Sequence, residues 1–291
     1  MKIVEENNNV IIKDLEHFNI MQTLECGQCF RFYKIEDLDY LIIAFGRILR
    51  IQQEDNQITL YNTTMNEFNK IWREYLDLNN DYECIKETLL KNNQDLHQAI
   101  KSKWGIHILK QDTWETLISF IISQNKHITH IKKVIEIISL AYGDKIGSYN
   151  GIDYYSFPTP EQLAIATDEG LRACKTGFRA PYILDASQKV VKGEIDIQQI
   201  KKITTDEARK KLISIKGVGN KIADCVLLYG LGRTETFPTD VWIKRIVENM
   251  YLKQESKLEA IQEFAAKQFG DYAGYAQQYL FYYGRENRIG K

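Results

Sequence analysis

The sequence lacks the features that mark membrane, secreted and disulfide-stabilised proteins. Its 291 residues contain no run of about 18 apolar residues, so no membrane span is expected. The N-terminal segment MKIVEENNNV has no apolar signal-peptide core, which favours a cytoplasmic location. The five cysteines are an odd number in a long chain, and Cys26 and Cys29 have no second pair to complete a four-ligand metal set. We therefore expect neither a disulfide framework nor a metal site.

Proline is scarce as well, and its distribution bears on domain organisation. The first of the four prolines is Pro158, and no low-complexity linker divides the chain. Residues 1–98 begin with short segments rich in β-forming residues, at 10–12, 29–34, 40–45, 47–53 and 57–61, and turn helical from Met65 to about Ala99. Residues 99–291 show mostly helical periodicity. We predict an α+β N-terminal domain, an antiparallel sheet with helices, packed on a mostly α-helical domain.

The charge is divided unevenly although the net charge is only −1. Residues 1–97 carry 10 basic and 17 acidic side chains, whereas residues 98–291 carry 28 basic and 22 acidic ones. Six lysines lie in one part of the second segment: Lys201, Lys202, Lys210, Lys211, Lys216 and Lys221. The asymmetry indicates that this part meets a polyanion, although a solvated face explains any single lysine.

A helical hairpin lies among these lysines. Leu212 and Ile215 belong to the apolar face that ends one helix, Gly217, Val218 and Gly219 form a tight turn, and a second helix begins near residue 220. Glycine lets the backbone approach a ligand closely, and amides at a helix N-terminus bind phosphate. The alternative is a hairpin whose glycine is only a helix cap.

Two ionisable residues favour a catalytic hairpin. Lys221 is on the first turn of the second helix, and Asp240 follows in FPTDVWIKR, where it or Thr239 would cap a third helix. An N-cap aspartate is usually structural. An amine that attacks a carbon, together with a carboxylate that stabilises positive charge there, is the alternative that the pair supports.

GVGNKIADC followed by PTDVWIKR resembles the helix-hairpin-helix DNA glycosylases. The resemblance extends over most of the chain and is nearest to the 8-oxoguanine glycosylases that also nick the strand. It implies that Lys221 is the nucleophile, Asp240 the stabilising carboxylate and duplex DNA with a damaged base the partner. It also implies a monomer without a cofactor. The chain has no cysteine after Cys225, so the iron–sulfur cluster of many pyrimidine-specific relatives is not expected.

The same resemblance assigns the residues of a base pocket. Gln277 resembles the glutamine that contacts the Watson–Crick edge of the extruded base, Phe281 the aromatic ring beneath the base, and Cys225 the residue on its other face. The Gly27 carbonyl, in CGQCFR, resembles the acceptor for the N7 proton that distinguishes 8-oxoguanine from guanine. Core packing is the alternative for Phe281 and Cys225, and a turn glycine is the alternative for Gly27.

Further residues resemble the DNA-contacting groups of the family. Asn125 matches the asparagine that fills the gap left by the extruded nucleotide, Arg179 an arginine that contacts the orphaned cytosine, and Phe178 an unstacking wedge. Two positions depart from the pattern. His130 replaces a second cytosine-contacting arginine, and Trp242 replaces a phosphate-contacting histidine.

Three other functions compete with an 8-oxoguanine glycosylase. An endonuclease III-like enzyme for damaged pyrimidines is disfavoured by the missing cysteine cluster, the N-terminal sheet domain and the pair Gln277 and Phe281. A glycosylase for alkylated purines is disfavoured by Lys221. A DNA-structure binder that uses the hairpin only for phosphate contacts is disfavoured by Lys221 and Asp240 together.

Overall fold

A computed structural model describes residues 1–91 and 93–289. Its N-terminal strands are β1 (Lys2–Glu6), β2 (Asn9–Lys13), β3 (Phe32–Glu36), β4 (Asp39–Ala44), β5 (Arg47–Glu54) and β6 (Gln57–Tyr61). They form one antiparallel sheet in the order β1-β2-β6-β5-β4-β3. The antiparallel sheet predicted from the sequence is confirmed, although β3 begins three residues later than expected.

Strand β1 has no counterpart among the predicted strands. Only Ile3 and Val4 are strong β-formers there, and the strand lies at the sheet edge with little burial. A two-residue turn, Asn7-Asn8, connects it to β2, and both asparagines have positive φ angles of 50° and 60°. Asparagine tolerates this conformation, which hairpin turns of this length require. The turn therefore indicates a strand that the apolar pattern alone does not predict.

The helices of the N-terminal part support the sheet. They are α1 (Ile20–Glu25), α2 (Met65–Glu67), α3 (Arg73–Tyr75), α4 (Tyr82–Leu90) and α5 (Gln94–Ser102), with a π-helical turn, Phe68–Trp72, between α2 and α3. Helix α1 was not expected from the pattern. Its N-cap is Asn19, whose side-chain oxygen accepts a 2.9 Å hydrogen bond from the Gln22 amide.

The rest of the chain is mostly helical, as predicted. The helices are α6 (Thr113–Ser123), α7 (Ile128–Tyr142), α8 (Pro160–Ala164), α9 (Asp168–Ala173), α10 (Ala180–Val191), α11 (Ile197–Ile200), α12 (Thr205–Ile213), α13 (Asn220–Leu231), α14 (Val241–Val247), α15 (Leu258–Phe269) and α16 (Ala273–Glu286). Thr159 and Thr204 each form a capping box at the start of α8 and α12.

A small hairpin interrupts this helical region. Strands β7 (Lys145–Tyr149) and β8 (Ile152–Tyr155) pair antiparallel after α7 and were not predicted. The Tyr154 ring lies 5.3 Å from the Tyr33 ring of β3, and the Arg31 guanidinium donates to the Tyr155 carbonyl. The hairpin thus connects the helical region to the sheet.

The described residues form two apolar cores, and the division between these cores does not fall at residue 98. The smaller core lies between the sheet and the segment from α1 to α3. The larger core contains buried residues of α4 and α5 together with those of the later helices. The predicted boundary between residues 98 and 99 stays a prediction. Among the described residues, no helix is long and apolar enough to cross a membrane.

Candidate active site

The helical hairpin predicted from the sequence is formed by α12 and α13. Between them Ile215 and Val218 are buried, and Gly217 has a φ of +78°. A Cβ atom on Gly217 would lie 2.2 Å from Cδ2 of Tyr182, so both the conformation and the packing require glycine. Gly219 is the N-cap of α13 and has nothing within 4 Å of a Cβ position. The turn therefore packs against α10 through Gly217 and stays open at Gly219.

Backbone amides at the start of α13 have no side-chain cap within the described residues. Five of the six lysines named above are exposed, and the sixth, Lys221, is half-buried. Open amides beside exposed ammonium groups at a helix N-terminus form a site for phosphate. This arrangement suits a DNA backbone next to the hairpin.

Lys221 faces inward from the first turn of α13. Its Nζ atom lies 5.1 Å from the centroid of the Phe120 ring, and it is also a hydrogen-bond partner of the Cys225 thiol. Burial raises the pKa of Cys225 to about 12, Lys221 opposes that rise, and the charge of Asp240 adds to it. The Lys221 amine and the Asp240 carboxylate therefore both influence the pKa of the same buried thiol.

Asp240 is held by the start of α14 and by the loop before it. Its Oδ1 atom accepts a 2.8 Å hydrogen bond from the Ile243 amide, as an N-cap does. Gln262 of α15 donates to the Phe237 carbonyl at 2.9 Å and to Thr239 Oγ1 at 2.8 Å. The structural role predicted for Asp240 is present, and it holds a half-buried carboxylate whose charge reaches the Cys225 thiol, as that of Lys221 does.

The predicted pocket residues also come together. Gly27 has a φ of +92°, and a Cβ there would lie 3.3 Å from Cε1 of Phe281. Gln277 lies one turn before Phe281 on α16. This glutamine is only 4% exposed, whereas Phe281 is half-buried. The Tyr229 hydroxyl lies 3.3 Å from Gln277 Oε1. The Gly27 backbone thus adjoins the Phe281 ring, and the Gln277 amide lies one helical turn from that ring.

Gln28 fixes the segment that carries Gly27, a role that the sequence did not reveal. Its buried amide donates to the carbonyls of Thr23 at 2.8 Å and His107 at 2.7 Å, and accepts from the Leu109 amide at 2.8 Å. Three bonds on one buried amide satisfy most of its capacity. The glutamine of the CGQCFR motif is therefore a structural residue next to the pocket.

Of the residues assigned to DNA, Asn125, Phe178 and Arg179 lie where the end of α6 meets the start of α10, whereas His130 is on α7 and Trp242 on α14. Asn125 is exposed with a φ of +50°, and Phe178 is 48% exposed. His130 is exposed on the first turn of α7, with its ring 6.3 Å from that of His127. Trp242 is half-buried, with the Arg245 guanidinium carbon 5.9 Å from the ring centroid. The roles of these residues toward DNA stay predictions.

Arg179 differs from the others because it is 4% exposed. Its guanidinium donates to the Gln124 carbonyl and, at 3.1 Å, to the Thr176 carbonyl, and burial lowers its pKa. It also lies 4.2 Å from the centroid of the Phe178 ring. To contact an orphaned cytosine, Arg179 would exchange these two carbonyls for the base.

Within residues 1–91 and 93–289, no three side chains of His, Cys, Asp or Glu are grouped so as to hold a metal ion. The polar groups that converge at the site are an amine, a carboxylate, a carboxamide and backbone carbonyls. They can support nucleophilic and acid–base chemistry on a base-sized ligand.

Two family models match consecutive parts of the chain. Residues 10–117 match the N-terminal domain of 8-oxoguanine DNA glycosylase, and residues 118–269 match the HhH-GPD superfamily base excision DNA repair protein.

Individual proteins agree with the family models. A probable N-glycosylase/DNA lyase of Methanothermobacter thermautotrophicus is 34% identical over 74% of this chain and 75% of its own length. The structure of MBOgg1 in complex with a low-affinity DNA ligand is 48% identical, covers 99% of both chains and gives a TM-score of 0.96. The Clostridium acetobutylicum 8-oxoguanine glycosylase/lyase bound to duplex DNA is 38% identical over 99% of both chains, with a TM-score of 0.95. The chain therefore belongs to the HhH-GPD superfamily of base excision DNA repair proteins and, within it, to the 8-oxoguanine DNA glycosylase/lyase family.

Proposed function

We propose that the protein is a bifunctional DNA glycosylase and lyase that removes 8-oxoguanine from duplex DNA. The observation that carries the proposal is the inward position of the Lys221 amine, 5.1 Å from the centroid of the Phe120 ring, in a site where the Asp240 carboxylate is held as the N-cap of α14. Both groups also influence the pKa of the buried Cys225 thiol. A nucleophile and a stabilising carboxylate beside one small buried group meet the needs of substitution at a sugar carbon.

The chemistry follows from these two side chains. The Lys221 amine attacks C1′ of the damaged nucleotide, the N-glycosidic bond breaks, and the base leaves with the bonding electrons and takes up a proton. Asp240 stabilises the positive charge that develops on the sugar. Ring opening gives an imine between C1′ and Lys221, and loss of a proton from C2′ then expels the 3′ phosphate.

The pocket residues support 8-oxoguanine as the base that is removed. A relative of similar structure is bound to duplex DNA that contains cytosine opposite 8-oxoguanine. In this chain the Gly27 backbone adjoins the Phe281 ring, so a base stacked on that ring would meet the Gly27 carbonyl. Gln277 supplies a donor and an acceptor for the Watson–Crick edge. The extruded base would thus be recognised on two edges and one face.

Duplex DNA with a damaged base is the partner that the junction of α6 and α10 and the hairpin fit. Asn125 would occupy the gap left by the extruded nucleotide, Phe178 would unstack its neighbour, and Arg179 would contact the orphaned cytosine. Gly219 leaves the start of α13 open to a phosphate. We further propose that the protein acts as a monomer and in the cytoplasm.

Borohydride trapping on an 8-oxoguanine duplex tests the proposal. Wild-type protein should give a covalent protein–DNA adduct, because borohydride reduces the imine. Lys221→Gln should bind the duplex and give neither adduct nor strand nick, because an amide cannot form the imine. Lys101→Gln, which changes an exposed lysine of α5 outside the hairpin, is the control and should trap normally. An adduct of normal yield in Lys221→Gln would refute the assignment.

Parallel trapping on other duplexes separates the competing functions. The match of residues 10–117 to the N-terminal domain of 8-oxoguanine DNA glycosylase favours this substrate over damaged pyrimidines. Faster trapping on a pyrimidine lesion would favour an endonuclease III-like enzyme. Binding without an adduct on any lesion would favour a DNA-structure binder.

A further inference from the structure

A chain of three buried groups connects the helix of the nucleophile to the segment of Gly27. The Tyr229 hydroxyl lies 2.6 Å from Gln278 Oε1, and Gln278 Nε2 lies 3.2 Å from the Cys26 carbonyl oxygen. Tyr229 is on α13 eight residues after Lys221, Gln278 is on α16 beside Gln277, and Cys26 directly precedes Gly27. All three residues of this chain, Tyr229, Gln278 and Cys26, are buried. We name it the Tyr229–Gln278–Cys26 relay.

The polarity of the relay is fixed by what each group can donate. A tyrosine hydroxyl has one proton, and the 2.6 Å contact to Gln278 Oε1 is much shorter than the 3.3 Å contact to Gln277 Oε1. Tyr229 therefore donates to Gln278, which orients the Gln278 amide so that its nitrogen donates to Cys26. Buried amides and hydroxyls are costly to leave unpaired, so loss of one bond releases the next.

A second bond from the same helix supports the neighbouring peptide. Arg285 Nη2 donates to the Glu25 carbonyl at 3.0 Å, and its guanidinium carbon lies 5.6 Å from the centroid of the Phe281 ring. Helix α16 thus holds two consecutive carbonyls, of Glu25 and Cys26, directly before Gly27. The same helix carries Gln277 and Phe281, so it sets the position of the Gly27 backbone relative to the groups that hold the base.

We propose that Tyr229 and Gln278 are positioning residues that determine the selection of 8-oxoguanine over guanine by fixing the Gly27 carbonyl. This inference rests on the proposed function. The two bases differ at N7, which carries a proton in 8-oxoguanine and a lone pair in guanine. A fixed carbonyl accepts from the first and opposes the second, and hydrogen-bond energy falls steeply with misplacement. If the Gly27 carbonyl can move away from N7, its hydrogen bond to 8-oxoguanine and its repulsion of guanine both weaken.

Tyr229→Phe tests the relay with the loss of a single oxygen atom. Tyr279→Phe is the matched control, because Tyr279 is also buried, lies on α16, and its hydroxyl has no hydrogen-bond partner among the described residues. Single-turnover excision of 8-oxoguanine should fall by about tenfold or more in Tyr229→Phe and by less than about twofold in Tyr279→Phe. Cleavage of an abasic-site duplex, which places no base in the pocket, should stay near the wild-type rate in both.

Binding measures selectivity directly. In a Lys221→Gln background, which prevents turnover, the ratio of affinities for 8-oxoguanine and guanine duplexes should fall by about tenfold on adding Tyr229→Phe. Gln278→Met, which keeps the volume but removes both bonds, should reduce the ratio to the same extent. The combination of the two should add little, because either change breaks the whole relay.

The experiments distinguish a failure of the positioning role from a failure of the proposed function. An unchanged affinity ratio in a folded Tyr229→Phe protein, or an equal fall in abasic-site cleavage, would overturn the inference. If wild-type protein does not excise 8-oxoguanine, the proposed function fails. Amide hydrogen exchange over residues 24–30 still decides the relay in that case. It should be faster in Tyr229→Phe than in Tyr279→Phe, and equal exchange would refute the relay.

Discussion

Asp240 has a structural role as the N-cap of α14 and a proposed role in catalysis, and one substitution separates them. Asparagine caps a helix as well as aspartate does, but it carries no charge. Asp240→Asn should therefore keep the α14 cap and slow single-turnover excision by about 10²–10³-fold, since the developing positive charge loses its partner. Asp81→Asn changes the matched N-cap of α4, whose Oδ1 accepts from the Cys84 amide at 3.0 Å, and should leave the rate unchanged. A wild-type rate in Asp240→Asn would exclude it from the mechanism.

His130 bears on the base that remains in the opposite strand. An arginine donates to the O2 and N3 acceptors of an orphaned cytosine at once, whereas a histidine is shorter and offers fewer donors. With Arg179 as the single arginine, excision should depend weakly on the opposite base. His130→Arg should raise the preference for cytosine by about 1–3 kcal/mol if the second bidentate contact forms.

The measurement is single-turnover excision of 8-oxoguanine opposite each of the four bases. His127→Arg is the control, because it adds the same charge on the neighbouring exposed histidine. A wild-type enzyme that acts almost only opposite cytosine would show that Arg179 suffices and that the inference is wrong.

The hairpin between α12 and α13 depends on one of its two glycines for stability. Gly217→Ala would bring a Cβ to 2.2 Å from the Tyr182 ring in a left-handed conformation, whereas Gly219→Ala meets open space with φ −102°. Gly217→Ala should lower the free energy of unfolding by about 1–3 kcal/mol, and Gly219→Ala should change it by much less. Urea denaturation of both variants measures the difference. Equal losses would mean that Tyr182 moves aside without cost.

Elements with local signals were predictable from the sequence, and those that depend on distant contacts were not. The capping boxes at Thr159 and Thr204 and the turn at Gly217 are encoded within a few residues. Strand β1 and the β7–β8 hairpin carry weak apolar patterns and are stabilised by pairing. The family resemblance alone placed Gly27 and Phe281 in one pocket. The two residues are 254 positions apart, and no spacing pattern in a sequence indicates a contact over that distance.

The relay illustrates the same limit within the site. Tyr229 has a sequence signal, since it shares the helical face of Lys221 and Cys225, and a buried tyrosine needs a hydrogen-bond partner. The partner, Gln278, comes from another helix, and the acceptor at Cys26 from another domain. Periodicity identifies the face but cannot identify what lies against it.

At the scale of the whole molecule, one buried lysine should make the free energy of unfolding depend on pH. Lys86 of α4 is fully buried. Its Nζ atom lies 2.6 Å from the Trp104 carbonyl oxygen and 3.8 Å from the centroid of the Trp104 indole ring. Burial lowers the pKa of Lys86 to about 7, whereas the unfolded chain keeps this proton to much higher pH. At this side chain the unfolded state therefore binds more protons above pH 7, so the contribution of Lys86 to stability rises with pH.

The rise contributed by Lys86 is at most about 1.4 kcal/mol per pH unit, between about pH 7 and 8.5. Above that range the thiols of Cys26 and Cys225, whose pKa values burial raises to about 12, oppose it. Lys86→Met should remove the rise, and Lys101→Met, an exposed lysine of α5, should not. Urea unfolding at pH 7.0, 7.7 and 8.5 (chosen to bracket the expected window of about 1.5 pH units) checks this. A slope that persists in Lys86→Met would assign it to other groups.

The larger core joins helices from the two ends of the chain, and this has a consequence during synthesis. Helix α5 packs on α16, and roughly 170 residues separate the end of the first from the start of the second, which take about 10 to 30 s to translate. The sheet and its own core can form while the ribosome is still working. The face of α5 that packs on α16 stays uncovered until the last helix has emerged, so the nascent chain exposes apolar surface throughout that period.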